Sequence, residues 1–166
     1  MNIRKTQMSE LSRIEEIYAY AREQMKRTGN PEQWGDSRPD RETLVKDIEA
    51  SISYVLEEDG EIHGVFVFFV GEDPDYKVIE DGAWKNELPY GVIHRVAGDG
   101  SRKGILENIV KYCSAVISNL RMDTHQDNRV MQHVLEKNGF ERSLIRRYKI
   151  KPQDHLCAST LWFCGF

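Results

Sequence analysis

The chain lacks an excess of positive charge: 23 Lys and Arg against 27 Asp and Glu leave a formal net charge of −4 over 166 residues. That excludes a protein whose affinity comes from coating nucleic-acid phosphates and leaves room only for a local basic site. Long apolar runs are also missing. The longest covers residues 64–70, far short of the roughly 20 residues that span a bilayer, so no membrane partner is expected. The first ten residues carry no basic-then-apolar leader. The three cysteines, Cys113, Cys157 and Cys164, form no CxxC pair, so a reducing cytoplasm is the expected home. Internal repeats, low-complexity tracts and Ser/Gly linkers are absent, and residues 1–166 are read as a single domain.

What is present suits a folded core, with 40% apolar residues. A short strand is expected at residues 3–7. A helix capped by Ser9 follows, with Leu11, Ile14, Ile17, Tyr18, Ala21 and Met25 on one stripe at offsets of three and four. A polar loop containing Trp34 leads to a helix at 41–50, capped by Asp40. Asp59-Gly60 suits the positive-φ positions of a tight hairpin between Tyr54-Val55-Leu56 and a Val- and Phe-rich strand at 62–70. Residues 71–88 form a long loop, a length usually associated with function. A strand at 90–96, a Gly-rich turn, a helix at 104–119, a strand at 120–124 and a helix capped by Asp127 follow. Asn138-Gly139 closes that helix, and strands at 140–150 and 156–163 finish the chain. The order β-α-α-β-β-β-α-β-α-β-β is that of an α/β (α+β) sheet with packed helices.

The turn Ala97-Gly98-Asp99-Gly100-Ser101-Arg102-Lys103-Gly104 carries the first chemical signal. A helix N-terminus leaves four N–H groups unpaired and bears about half a positive charge. Glycines before it let backbone approach an anion, and Arg102 and Lys103 add charge suited to phosphate. Neither GxxxxGK[ST] nor a Rossmann GxGxxG context is present. The alternative is a solvated turn with two surface cations.

The segment Asp127-Asn128-Arg129-Val130-Met131-Gln132-His133-Val134-Leu135-Glu136-Lys137-Asn138-Gly139-Phe140 resembles the closing helix of the GNAT N-acetyltransferase superfamily, N-x-x-A/M…E-K-x-G-F. Ser101-Arg102-Lys103-Gly104-Ile105-Leu106 resembles that family's pyrophosphate loop, R/Q-x-x-G-x-G/A, with Ser101 and Leu106 departing from it. The element order agrees over essentially residues 1–166. The resemblance implies a mixed, mostly antiparallel sheet with helices on both faces, splayed between its fourth and fifth strands. It also implies acetyl-CoA as co-substrate and direct ternary-complex transfer of an acetyl group to an amine of a small molecule or peptide. On this chain it places His94, Arg95 and Val96 along pantetheine, and Ser101, Arg102, Lys103, Gly104, Ile105 and Leu106 around the pyrophosphate. Asn128 would reach the cofactor, although a helix-start residue bonding its own backbone is the plain alternative. The resemblance admits a homodimer.

Freeing the lone pair of an amine of pKa ~10.4 at pH 7 costs about 4–5 kcal/mol, so a base is needed. His94 is the expected base, titrating near working pH. Alternation puts Tyr90, Val92, His94 and Val96 on one face; a buried histidine bonded to a carbonyl is the competing reading. Leu135 stands where many members of the family carry a Tyr acid, leaving Tyr148 or Tyr112 as substitutes or an unassisted thiolate departure. Trp34, Trp84 and Tyr90 are placed beside the acceptor by the resemblance, and acidic loop residues suit a cationic acceptor. Asp123, His125 and Asp127 make a thin metal set, and no metal is expected. Leu135 and Ser101 also sustain a different class of function, a catalytically silent acyl-CoA-binding module acting as sensor or assembly partner.

Overall fold

The computed structural model describes residues 1–76, 86–148 and 157–165. Seven strands form one sheet: β1 (Asn2–Lys5), β2 (Ser53–Glu58), β3 (Glu61–Val70), β4 (Gly91–Gly98), β5 (Asn119–His125), β6 (Glu141–Tyr148) and β7 (Cys157–Gly165), in the spatial order β1-β2-β3-β4-β5-β7-β6. All neighbours pair antiparallel except β4 and β5, which run parallel. Helices α1 (Leu11–Arg27) and α2 (Arg41–Glu49) cover one face, where Leu11, Ile14, Ile17, Tyr18 and Leu44 pack on Val55, Val65 and Ala97. Helices α3 (Ile105–Ser114) and α4 (Arg129–Lys137) cover the other, where Leu106, Ile109, Cys113 and Leu135 pack on Leu56, Phe66, Phe68 and Ile93. The apolar stripe expected for the first helix is the one buried.

Two features of β4 position the site. It pairs with β5 only at Gly91–Leu120 and Val92–Arg121. Beyond those residues the strands part, and among the described residues the far half of β4 has no strand partner on that side. The second feature is a bulge: Val65 lies opposite Ala97 and Val67 opposite His94, so Arg95 and Val96 together face Phe66. Arg95 adopts φ +52°, a left-handed conformation costly for a side-chain-bearing residue. Tyr18 Oη holds it by donating to the Arg95 carbonyl at 2.9 Å, and Asp47 takes its guanidinium through two hydrogen bonds of 2.9 and 2.7 Å.

The bulge corrects the expectation of simple alternation. Val92 and His94 lie on the α1–α2 face, but the extra residue reverses the phase, so Ala97 returns to that face and Val96 packs with the α3–α4 core. Several boundaries also shift. Ser9 lies in a 3₁₀ turn (Met8–Glu10) rather than capping α1, because Glu10 Oε2 folds back to accept Gln7 N–H at 2.8 Å. Asp127 does not cap α4; Asn128 does, its Oδ1 accepting Met131 N–H at 3.0 Å. Helix α3 ends before 119 because Val116 and Ile117 both turn back to the Cys113 carbonyl. Asp40 caps α2, and Asp59-Gly60 forms the hairpin turn with φ of +56° and +79°.

Candidate functional site

The parting of β4 from β5 opens a cleft of about 730 Å³. Its floor is Val96, Ala97 and Gly98 of β4; its walls are Tyr20 and Met25 of α1, residues 102–107, and Asn128, Met131 and Lys137 around α4. Gly104 caps α3 in the left-handed conformation at φ +74°, and no side chain closes that helix end. The first turn of α3 therefore presents backbone N–H groups that have no helical carbonyl to bind, beside Arg102 and Lys103. Upstream, Gly100 sits at φ +78°, and a Cβ there would lie 2.2 Å from the Tyr20 hydroxyl. The left-handed φ favours glycine here, and any Cβ would push the exposed Tyr20 ring aside.

A second cleft of about 490 Å³ lies on the other side of the same opening, lined by Gln33, Trp34, Arg38, Asp40, Thr43, His94, Arg95, Asp123 and Thr124. Met25, Val96, Asn128 and Met131 line both clefts, so the two adjoin at these residues. Asn128 also donates from Nδ2 to Gln33 Oε1 at 2.8 Å, tying the α1–α2 loop to α4 where the clefts adjoin.

His94 is 18% exposed and clamped at both nitrogens. Nε2 lies 2.5 Å from Asp73 Oδ2, and Nδ1 lies 3.2 Å from Asp123 Oδ1, which also accepts the Tyr76 hydroxyl at 3.1 Å. Two carboxylate partners require two N–H donors, so the ring is an imidazolium in this arrangement. Burial lowers its pKa, but Asp123 and Asp73 outweigh burial and push it up to about 9. This corrects the expectation of a histidine titrating near neutrality. Tyr76 is buried and its pKa is raised well above the usual phenol value by burial and by Asp123.

Of the residues expected at the cofactor, Val96, Arg102, Lys103, Gly104, Ile105, Leu106 and Asn128 line the larger cleft. His94 and Arg95 line the second instead. Ser101 turns away: its Oγ bonds Asp99 at 2.6 Å and meets His63 Nδ1 at 2.9 Å. Arg102 Nε is engaged by Glu58 at 2.7 Å, so part of its charge is already matched. Trp34 lines the second cleft, edge-on to Tyr18. Tyr90 lines neither cleft and packs with Tyr76, Val92 and Leu161, its hydroxyl accepting Asp73 N–H and its ring 3.7 Å from the Arg121 guanidinium carbon. Trp84 and the Tyr148 side chain lie outside the described residues. Tyr112 packs edge-on against Tyr54 and lines neither cleft.

Leu135 is fully buried among the α3–α4 core residues. His125 is buried with its pKa lowered by that burial, and no metal-holding group occurs among the described residues. Cys113 and Cys164 are buried thiols with raised pKa values, Cys164 to about 11. Asp73 and Asp123 as histidine partners were missed by sequence reasoning. Alternation along β5 offered the one usable signal, a carboxylate on the strand parallel to the one bearing His94.

No protein-family model and no curated protein sequence matches the chain. Solved structures do. A GNAT-family acetyltransferase from Streptococcus agalactiae 2603 superposes with a TM-score of 0.84 at 24% identity, over 99% of this chain and 95% of that one. A Salmonella typhimurium protein solved with its cofactor acetyl-CoA gives 0.63 at 15% identity, over 99% and 92%. The ribosomal-protein-alanine N-acetyltransferase from Brucella melitensis gives 0.65 at 14% identity, over all of both chains. The chain has the GNAT fold, with its sheet splayed between β4 and β5.

Proposed function

We propose that the protein is an acetyl-CoA-dependent N-acetyltransferase acting on an amine of a small molecule or peptide. The observation that carries this reading is the pair of adjoining clefts: one ends on an uncapped helix N-terminus, the other on a carboxylate–histidine cluster, and they share Val96, Asn128 and Met131 where β4 leaves β5. The donor set fits the coenzyme. Backbone N–H groups of α3 with Lys103 and Lys137 suit a diphosphate, and the unpaired edge of β4 suits an amide-bearing arm. Bound there, acetyl-CoA supplies an activated acyl carbon.

The protein's own groups then position the amine and move its proton. Asp123 and Asp40 give the second cleft carboxylates for an incoming ammonium, while Asp47 neutralises Arg95. His94 takes the proton in its neutral form, keeping Nε2–H on Asp73 and receiving at Nδ1, on the Asp123 side. Asp73 and Asp123 hold the ring in place and stabilise the imidazolium that results. The neutral fraction is small at pH 7, and a base of pKa about 9 is well matched to an amine. The buried Leu135 offers no proton to the departing thiolate, and Tyr112 lines neither cleft, which leaves Tyr148 or departure as the moderately basic anion.

Calorimetry with acetyl-CoA, followed by an assay of CoA release against polyamines, amino acids and peptides, tests the reading. Saturable binding with turnover on at least one amine class is expected. Tight binding without turnover on any amine would replace the enzyme by a binding module; no binding would overturn both.

A further inference from the structure

The turn that begins the cofactor loop is held from below by a negative charge, which is the wrong sign for a diphosphate site. Asp99 Oδ1 accepts Ser101 N–H at 2.9 Å and the Ser101 hydroxyl at 2.6 Å, shaping the 99–101 turn around Gly100. Asp99 Oδ2 faces His63 Nδ1 at 3.3 Å and takes Arg13 Nη2 at 2.7 Å. Burial raises the pKa of Asp99, but its bonds to Ser101 and His63 outweigh burial and hold it low, so it is an anion at neutral pH. Arg13 comes from α1. It is anchored by two bonds to the Ile62 carbonyl, at 3.1 and 2.7 Å, and also meets the exposed Glu16 at 3.3 Å. It does not line the cleft.

We propose that Arg13 is a positioning residue of the diphosphate site: it cancels the charge of Asp99, so that a carboxylate can shape the loop without repelling the phosphates that the loop must bind. The inference rests on the coenzyme reading of the cleft. Shape and charge are separable here. The carboxylate gives the turn its conformation through Ser101, and Arg13 removes the electrostatic cost to the cleft, which is lined by Gly98 and Arg102 on either side of that turn.

Substitutions give opposite signs for this role and for simple structural support. Arg13→Gln removes the permanent cation paired with Asp99 and leaves it only its contacts with His63 and Ser101, so acetyl-CoA affinity falls about tenfold at low salt, less at high salt. Asp99→Asn keeps an oxygen for Ser101 N–H and leaves Arg13 positive, so it binds acetyl-CoA as tightly as the parent or tighter. The double variant Arg13→Gln/Asp99→Asn recovers to within about threefold of the parent, as does Arg13→Lys. Dissociation constants by calorimetry are the readout, with melting temperatures of the free proteins recorded alongside. Unchanged binding in Arg13→Gln, weakened binding in Asp99→Asn, or a double variant no better than the single one overturns the inference while the coenzyme reading stands. If Arg13→Gln does not fold, the Asp99→Asn result decides alone. A parent protein that binds no acetyl-CoA overturns the coenzyme reading and this inference with it.

Discussion

His94 shows how far two neighbours can move the behaviour of one side chain. A free histidine titrates near 6.5, and burial alone would take it lower. Contact with Asp73 and Asp123 sets it near 9 instead. Because the basic form is the neutral one, kcat/KM should climb with pH along a limb of apparent pKa near 9. Asp73→Asn removes one of the two raising charges, so that limb should move to lower pH by a unit or more, and His94→Gln should lower kcat by about 10²–10⁴ and erase it. A pH–rate profile in which Asp73→Asn leaves the limb in place would remove His94 from the proton's path. The same raised pKa makes the cluster's contribution to stability complete below about pH 6.5, until its carboxylates protonate, and lost as pH rises through about 9.

At the scale of elements, local rules were legible and long-range ones were not. The stripe Leu11, Ile14, Ile17, Tyr18, the Asp59-Gly60 hairpin, the Asp40 cap and the order of strands and helices all follow from periodicity and turn chemistry acting within a few residues. The bulge at Arg95 was hidden, because it is stabilised by Asp47 and Tyr18, 48 and 77 positions away in the chain. Asp73 is another such case, joined to His94 across 21 residues. Ser101 looked like a weakened phosphate ligand and is a tie within the loop. The α3 start was readable from Gly104, and it yields a direct check. Gly104→Glu puts a side chain and a negative charge at a left-handed position beside the open N–H groups. It should cost about 1–2 kcal/mol of stability and abolish acetyl-CoA binding while the far-ultraviolet circular dichroism persists. Retained affinity would refute the loop's assignment.

For the molecule as a whole, ligand linkage sets a measurable scale. Acetyl-CoA at 100 times its dissociation constant should add ~2.7 kcal/mol of stability, which for a domain of this size raises the melting temperature by roughly 5–10 °C. A melting curve indifferent to acetyl-CoA would contradict the reading of the larger cleft. In the proposed function, anion capture and proton removal fall to the two adjoining clefts of one opening. Neither cleft is made by a single element.

The brief pairing of β4 with β5 at Gly91–Leu120 and Val92–Arg121 has a mechanical consequence. The sheet is two slabs sharing a short seam, and heat or force should part them there before either slab melts. A ligand lodged across the gap acts as a suture, so in hydrogen exchange the amides of residues 94–98 should slow far more on its arrival than those of the β2–β3 hairpin.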